Sequence, residues 1–325
     1  MSYKSSMGAE KKMNSIENLP TELPEKIKTQ IGEIRLDNTS GSVKLATKSA
    51  ETLITILENV DVSSHSQLIT YIEMVSKELV KAQPTMAPIF NLVNKTLLNI
   101  YNLADEEEIR QIARVLCQNF ITKLDTSGQM ISKLAIDLIT DNSTILTHSY
   151  SDTILKTLLL AKRAGKNFDV ICTESQPTKE GIFLAERLGK EEINVTLIVD
   201  SAASSFLPET QLVLIGADAL STYGLINKIG TLGLALAAKK FKVGFYALCD
   251  SEKILPAKYT INLKELKDPN EILPKTIDNV TPINYYFDLT PLEYLTGIIT
   301  ERGFMTPNDI KQYIKNMRIH RIFSD

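Results

Sequence analysis

From about residue 142 onward the chain alternates between two hydrophobic periodicities, and this alternation limits its fold more than any other feature. Short runs rich in β-branched and apolar residues stand at Thr144–Thr147, Asp169–Cys172, Val195–Val199, Leu212–Ile215 and Val243–Leu248. Helical patterns separate them at Ser151–Ala164, Gly181–Leu188 and Ile229–Lys240. Apolar runs of this length fit strands buried on both faces, and strands alternating with helices fit parallel pairs joined by helical crossovers. The expected fold class is therefore α/β, with a doubly wound parallel sheet and helices on both faces. Gly165 closes the first of these helices, where a left-handed residue usually ends one.

The preceding residues obey another rule. Val43, Ala46, Ala50, Leu53 and Leu57 form one helical stripe, and Leu68, Ile72, Val75 and Leu79 form a second. Ile109, Ile112, Leu116 and Phe120 form a third, opened by Asp105 with Glu108 three residues on, a capping-box-like start. A further helix is expected over Ile89–Tyr101, after the interruption by Pro84 and Pro88, and Thr126-Ser127-Gly128 is expected to break the last long helix. No strand is expected before about residue 142. A chain of 325 residues is too long for one simple core. Residues 19–135 thus read as an all-helical N-terminal domain and 136–325 as the α/β domain. Residues 1–18 are polar and lysine-bearing, the composition of a disordered tail.

Composition excludes several classes. A net charge of −3 with 23% charged residues carries no direct signal for nucleic acid or a membrane surface. No apolar run approaches the roughly 20 residues that span a bilayer. The N-terminus lacks an apolar signal core, so a cytoplasmic location is expected. Cys117, Cys172 and Cys249 are widely spaced and fit reduced core residues rather than a disulfide framework or a metal site. Neither a dinucleotide fingerprint nor a phosphate-binding loop of the common kinds follows any strand, so no cofactor and no metal are expected.

In an open parallel sheet the ligand site lies beyond the C-terminal ends of the strands. The ends here are polar throughout. The first delivers Thr147-His148-Ser149-Tyr150-Ser151, the second Thr173-Glu174-Ser175-Gln176-Pro177, and the third Asp200-Ser201. The fourth delivers Asp218 and then, across a loop through Gly224, Asn227 and Lys228, while the fifth delivers Asp250-Ser251-Glu252-Lys253. Hydroxyls and backbone N–H groups at helix starts bind phosphate oxygens, and Lys228 and Lys253 would neutralise the charge. A pocket for a phosphorylated small molecule, a sugar phosphate or nucleotide monophosphate, is expected. Singly, each residue has a plainer reading: Ser149 or Ser151 as a helix cap, Glu174 and Asp200 as turn formers, Lys253 as a surface charge.

Several motifs, in order and spacing, resemble one known family. They are THSYS (Thr147–Ser151), TESQP (Thr173–Pro177), VDSAA (Val199–Ala203), LIGAD (Leu214–Asp218), INKIGT (Ile226–Thr231) and ITERG (Ile299–Gly303). IRLDNTSGS (Ile34–Ser42) and AQPT (Ala82–Thr85) extend the likeness to nearly the whole chain. The family is that of the alpha, beta and delta regulatory subunits of translation initiation factor 2B. It also contains two sugar-phosphate isomerases, for methylthioribose 1-phosphate and ribose 1,5-bisphosphate. The resemblance implies a helical N-terminal domain joined to a Rossmann-like domain, and a homodimer or larger assembly. Initiation factor 2 or related translation factors are the implied partners. The implied ligand-binding residues are Arg35, Ser149, Ser151, Asp218, Asn227, Lys228 and Lys253.

The branch is decided by a few positions. The isomerases use a Cys after the first strand together with the Asp of the GAD motif. Asp218 matches that Asp, but the Cys position falls on Ser149, and a serine hydroxyl does not act as an acid or base near neutral pH without help. His148 is a poor rescuer, because neighbours on an extended segment point to opposite sides. Gln83 stands where an arginine is typical, Asp152 where a basic residue is usual, and the loop from Asp218 to Asn227 is one residue shorter. THSYS and TESQP resemble the alpha regulatory subunit, which also lacks the cysteine. A non-catalytic regulatory protein with a phospho-ligand pocket is expected. The alternative is an isomerase using Asp218 with Ser149.

Overall fold

The computed structural model describes residues 19–37 and 41–324. The tail expected at 1–18, and residues 38–40 of the IRLDNTSGS stretch, lie outside the described residues. The first part of the chain is helical: α1 (Glu25–Leu36), α2 (Ser42–Asn59), α3 (His65–Ala82), α4 (Ala87–Ile100) and α5 (Glu106–Ala135). Asp105 caps α5 by accepting from Glu108 N at 2.8 Å, and Ser64 caps α3 in the same way through Gln67 N. The buried faces form one core that includes Leu45, Leu53, Ile56, Leu68, Ile72, Leu79, Ala113 and Cys117. On α5 the seam runs through Ala113 and Cys117, with Ile112 and Leu116 on its flank, and Val43 of α2 is exposed.

The break expected at Thr126-Ser127-Gly128 does not occur; α5 runs through it as part of a 30-residue helix. Thr126 folds its hydroxyl back onto Thr122 O, and Ser132 onto Gly128 O. Ser127, Ile131, Ser132 and Ala135 are buried, and Ser132 Oγ receives a hydrogen bond from Thr157 of the neighbouring helix α6 (Asp152–Arg163). Burial against α6 overrides the weak local propensity.

The second part runs β1 (Ser143–Thr147), α6 (Asp152–Arg163), β2 (Phe168–Thr173), α7 (Glu180–Lys190), β3 (Asn194–Ile198), the short α8 (Ala203–Phe206) and β4 (Leu212–Ile215). It continues with β5 (Ala219–Leu220), β6 (Leu225–Lys228), α9 (Thr231–Phe241), β7 (Gly244–Leu248), β8 (Phe287–Thr290), β9 (Gly297–Thr300), β10 (Gly303–Met305) and α10 (Pro307–Lys315). The main sheet has seven strands in the order β10-β9-β7-β4-β1-β2-β3, all parallel except β10. Successive strand residues feed opposite faces, as a period of two requires. Ile145, Val170, Cys172, Leu212 and Leu214 pack under α6 and α7, with the end of α5. Leu146, Ile171, Val213, Ile215 and Phe245 pack under α8, α9 and α10.

One feature differs from the sequence reading. The segment expected as a loop between Asp218 and Lys228 is a hairpin, and β5, β6 and β8 make a separate three-stranded antiparallel sheet. Residues 263–279 are irregular apart from one short turn of helix at Pro269–Glu271. The C-terminal segment returns to the helical part, where Ile322 and Phe323 pack against its core and Asn94 holds Arg318 O and His320 N.

Candidate functional site

The order of the main sheet reverses between β1 and β4: β2 and β3 extend one way from β1, and β4, β7 and β9 the other. The strand ends at such a reversal diverge and leave a crevice. Ser149 follows β1 there and Asp218 follows β4.

The loops on the β1 side are fastened to one another. Ser149 N donates to Ser175 Oγ at 2.8 Å, and Asp200, after β3, accepts from Ser175 N and Gln176 N at 2.7 Å each. Ser149, Ser175 and Lys179 are held with φ of 71°, 65° and 57°, left-handed conformations that cost side-chain-bearing residues energy. His148 points inward, its Nδ1 2.7 Å from Thr173 Oγ1 and its Nε2 2.9 Å from Ile229 O. It locks the loop before α9 to the sheet.

Glu180, the first residue of α7, is central to the arrangement and was not singled out from the sequence. Its Oε1 accepts from Ser149 Oγ at 2.9 Å and from Lys228 Nζ at 2.8 Å, and its Oε2 accepts from Thr178 Oγ1. Glycine at 181 permits this approach: a Cβ there would fall 1.9 Å from Thr173 O. Only a residue without a side chain lets the helix start sit so close to the end of β2.

Lys228 lies at the end of β6, almost wholly buried, over the Tyr286 ring at 4.6 Å. Lys253 donates to Ala217 O at 2.6 Å. Asp218 feels the charge of both lysines without an ion pair to either, and its carboxylate accepts no hydrogen bond from any described residue. Burial pushes its carboxyl above the usual range, Lys253 and Lys228 oppose this, and Glu180 adds to it. Ser149, Asp218, Lys228 and Lys253 thus converge with Glu180.

The other expected residues are engaged locally. Ser151 caps α6 through Ile154 N at 3.4 Å, and Asn227 donates to Thr231 Oγ1 at 3.0 Å. Arg35 lies 3.3 Å from Glu78 on α3. Gln83 donates to Ile34 O at 2.8 Å, and Asp152 pairs with Lys156 at 2.6 Å. The N-terminus of α9 is occupied as well, since Asp288 of β8 accepts from Gly230 N and Leu232 N at 2.8 and 3.1 Å. Two amides at this helix start are therefore already engaged by a side chain of the protein itself. No cluster of three or more His, Cys, Asp or Glu among the described residues is arranged to hold a metal ion. No described helix is long and apolar enough to cross a membrane. Surface depressions of about 310 and 170 Å³ lie elsewhere, lined by Met130, Leu134 and Arg302 and by Tyr223, Tyr259 and Leu289 respectively.

The model of the initiation factor 2 subunit family matches residues 38–307. An eIF-2B subunit 2-like protein of Pyrococcus furiosus is 32% identical over 286 residues, covering 88% of this chain and 98% of that protein. A ribose 1,5-bisphosphate isomerase of Archaeoglobus fulgidus is 33% identical over 280 residues, covering 85% of this chain and 88% of that protein. The solved structure of a Pyrococcus horikoshii OT3 translation initiation factor eIF-2B is 32% identical and superposes with a TM-score of 0.76, covering 89% of this chain and 100% of that one. Similarity alone therefore does not choose between a translation factor and an isomerase.

Proposed function

The chain belongs to the initiation factor 2 subunit family, and from that premise we propose that it is a non-catalytic regulatory protein of translation initiation with a pocket for a phosphorylated small molecule. One observation carries this reading. Ser149, at the position of the isomerase thiol, donates its hydroxyl to Glu180, and Glu180 also pairs with Lys228. The group that would have to start proton transfer is a neutral hydroxyl already engaged, with a pKa far above neutrality. The ligand part of the reading is supported by the charges gathered near the switch point of the sheet, where Lys253 and Lys228 both act on the Asp218 carboxylate. The expected partners are initiation factor 2 or related translation factors, and the expected state is a homodimer or larger assembly.

The second reading is an aldose–ketose isomerase acting on ribose 1,5-bisphosphate or methylthioribose 1-phosphate. Asp218 favours it, because an unbonded carboxyl with an upward-shifted pKa suits acid–base work. Two assays separate the readings. Turnover of ribose 1,5-bisphosphate that disappears in Asp218→Asn would establish the isomerase. Absence of turnover, with capture of an initiation factor 2 subunit by the purified protein, supports the regulatory role. A ligand at about a hundredfold its dissociation constant adds about 2.7 kcal/mol of stability, so thermal-shift screening of sugar phosphates, AMP and GMP reports on the pocket.

A further inference from the structure

We propose that Glu180 is an internal counter-anion: it occupies the phosphate subsite of this pocket and must swing out before a phosphorylated ligand can bind. The inference rests on the pocket reading above and goes beyond it in naming how the pocket is gated. One ammonium and two hydroxyls, from Lys228, Ser149 and Thr178, converge on a single carboxylate. Cationic and hydroxyl donors closing on one anion make a phosphate-type site, and a carboxylate supplied by α7 already fills it. Thr178 Oγ1 also lies 3.1 Å from Lys228 Nζ, so the donors form one connected group.

The two members of the ion pair are unequally sheltered. The Lys228 side chain is 6% exposed and that of Glu180 is 23% exposed. Lys228 is held by the Tyr286 ring and by its place in β6. A buried ammonium needs a counter-charge, so the site is not stable with Lys228 alone. Glu180 begins a helix on the rim of the crevice, and after rotating outward its carboxylate still lies at the favourable end of the α7 dipole. A phosphate monoester carries more negative charge than a carboxylate and more acceptor oxygens. It replaces Glu180 at Lys228 and frees the hydroxyls of Ser149 and Thr178 to turn onto the ligand. Binding then coincides with a movement at the start of α7, a surface element through which occupancy is displayed.

The test is calorimetric titration of the full chain with ribose 1,5-bisphosphate, using uncharged ribose as a control. Glu180→Gln keeps the size of the side chain and one acceptor oxygen and removes its charge. Glu180→Ser, which suits a helix start, guards against a folding artefact, and circular dichroism confirms that each variant is folded. Both variants are expected to bind ribose 1,5-bisphosphate about tenfold or more tightly than the parent protein, the scale of a close charge competition. The gain is expected to vanish in Glu180→Gln combined with Lys228→Gln. Measurable binding that is equal or weaker in the Glu180 variants overturns the gate and leaves the pocket standing. Binding to neither the parent nor any variant overturns both the gate and the pocket reading.

Discussion

Lys123 Nζ lies 2.6 Å from Glu252 Oε1, joining the middle of α5 to the turn that follows β7. Lys95 of α4 pairs with the same carboxylate at 2.5 Å, and Lys123 also reaches Glu301 after β9 at 3.0 Å. The Glu252 side chain is 2% exposed, whereas Lys95 and Lys123 are 44% and 28% exposed. The carboxylate is the buried charge, and the lysines reach it from the helical part. Removing one partner of a buried pair is expensive because the other charge is stranded. Glu252→Ala is therefore expected to lower the unfolding free energy by about 3 kcal/mol, discounted for the solvent around the lysines. Urea unfolding measures it, and a loss within experimental error would show that the network is idle.

The same carboxylate sets an acid limit. Burial alone would raise the Glu252 pKa, but Lys95 and Lys123 outweigh it and hold the group below its ordinary value of 4.5. With the folded value depressed, the stabilisation is complete above the unfolded value and is lost as pH falls from about 4.5 through the folded value. The parent protein is expected to lose more stability over that acid range than Glu252→Gln does. Melting curves at descending pH check it, and parallel slopes for the two proteins would refute it.

Gly181→Ala would place a methyl group 1.9 Å from Thr173 O, a backbone atom that cannot rotate away. The start of α7 must shift, carrying Glu180 off Ser149 and Lys228. A stability loss of about 3 kcal/mol is expected, in the range of overpacking against backbone. Chemical denaturation reads it, and an unchanged midpoint would show that the helix start is not tightly held.

Asn94 clamps the returning C-terminal segment through Arg318 O at 2.9 Å and His320 N at 2.7 Å. Asn94→Ala leaves both backbone groups without this partner, at a cost of about 1–3 kcal/mol. Faster proteolytic trimming after residue 315 is the expected sign, read by mass spectrometry. Trimming at the parental rate would mean that Ile322 and Phe323 alone secure the segment.

Asp218→Asn is expected to stabilise the fold. Its carboxyl pKa is raised in the folded state, so above that raised value the ionised group opposes folding, and an uncharged amide relieves the opposition. The melting temperature should rise by a few degrees at neutral pH, the usual trade between stability and a charged site. A fall would mean that Lys253 and Lys228 need their counter-charge.

Legibility followed the range of each interaction. Strand positions such as Leu212–Ile215 and the helix start at Asp105 were readable, because alternation and capping act over a few residues. Asp218, Lys228 and Ser149 were readable as candidates from their places at strand ends. Glu180 was not, because its role depends on Lys228, 48 positions later, meeting Ser149, 31 positions earlier. The continuity of α5 through Gly128 was hidden for a similar reason: it rests on burial against α6.

The sequence by itself determined the two kinds of hydrophobic periodicity, and with them a helical part, a parallel sheet and a polar C-terminal edge. These follow from local backbone sterics and from the need to bury apolar faces. Only the tertiary structure decided which polar residues meet. It spent Asn227, Ser151 and Asp288 on holding the scaffold. It brought Glu180 onto Lys228 and left Asp218 without a hydrogen-bond donor among the described residues. The physical reason is that charge pairing acts through space at a few ångströms, and the chain carries no local mark of which distant residues will come that close.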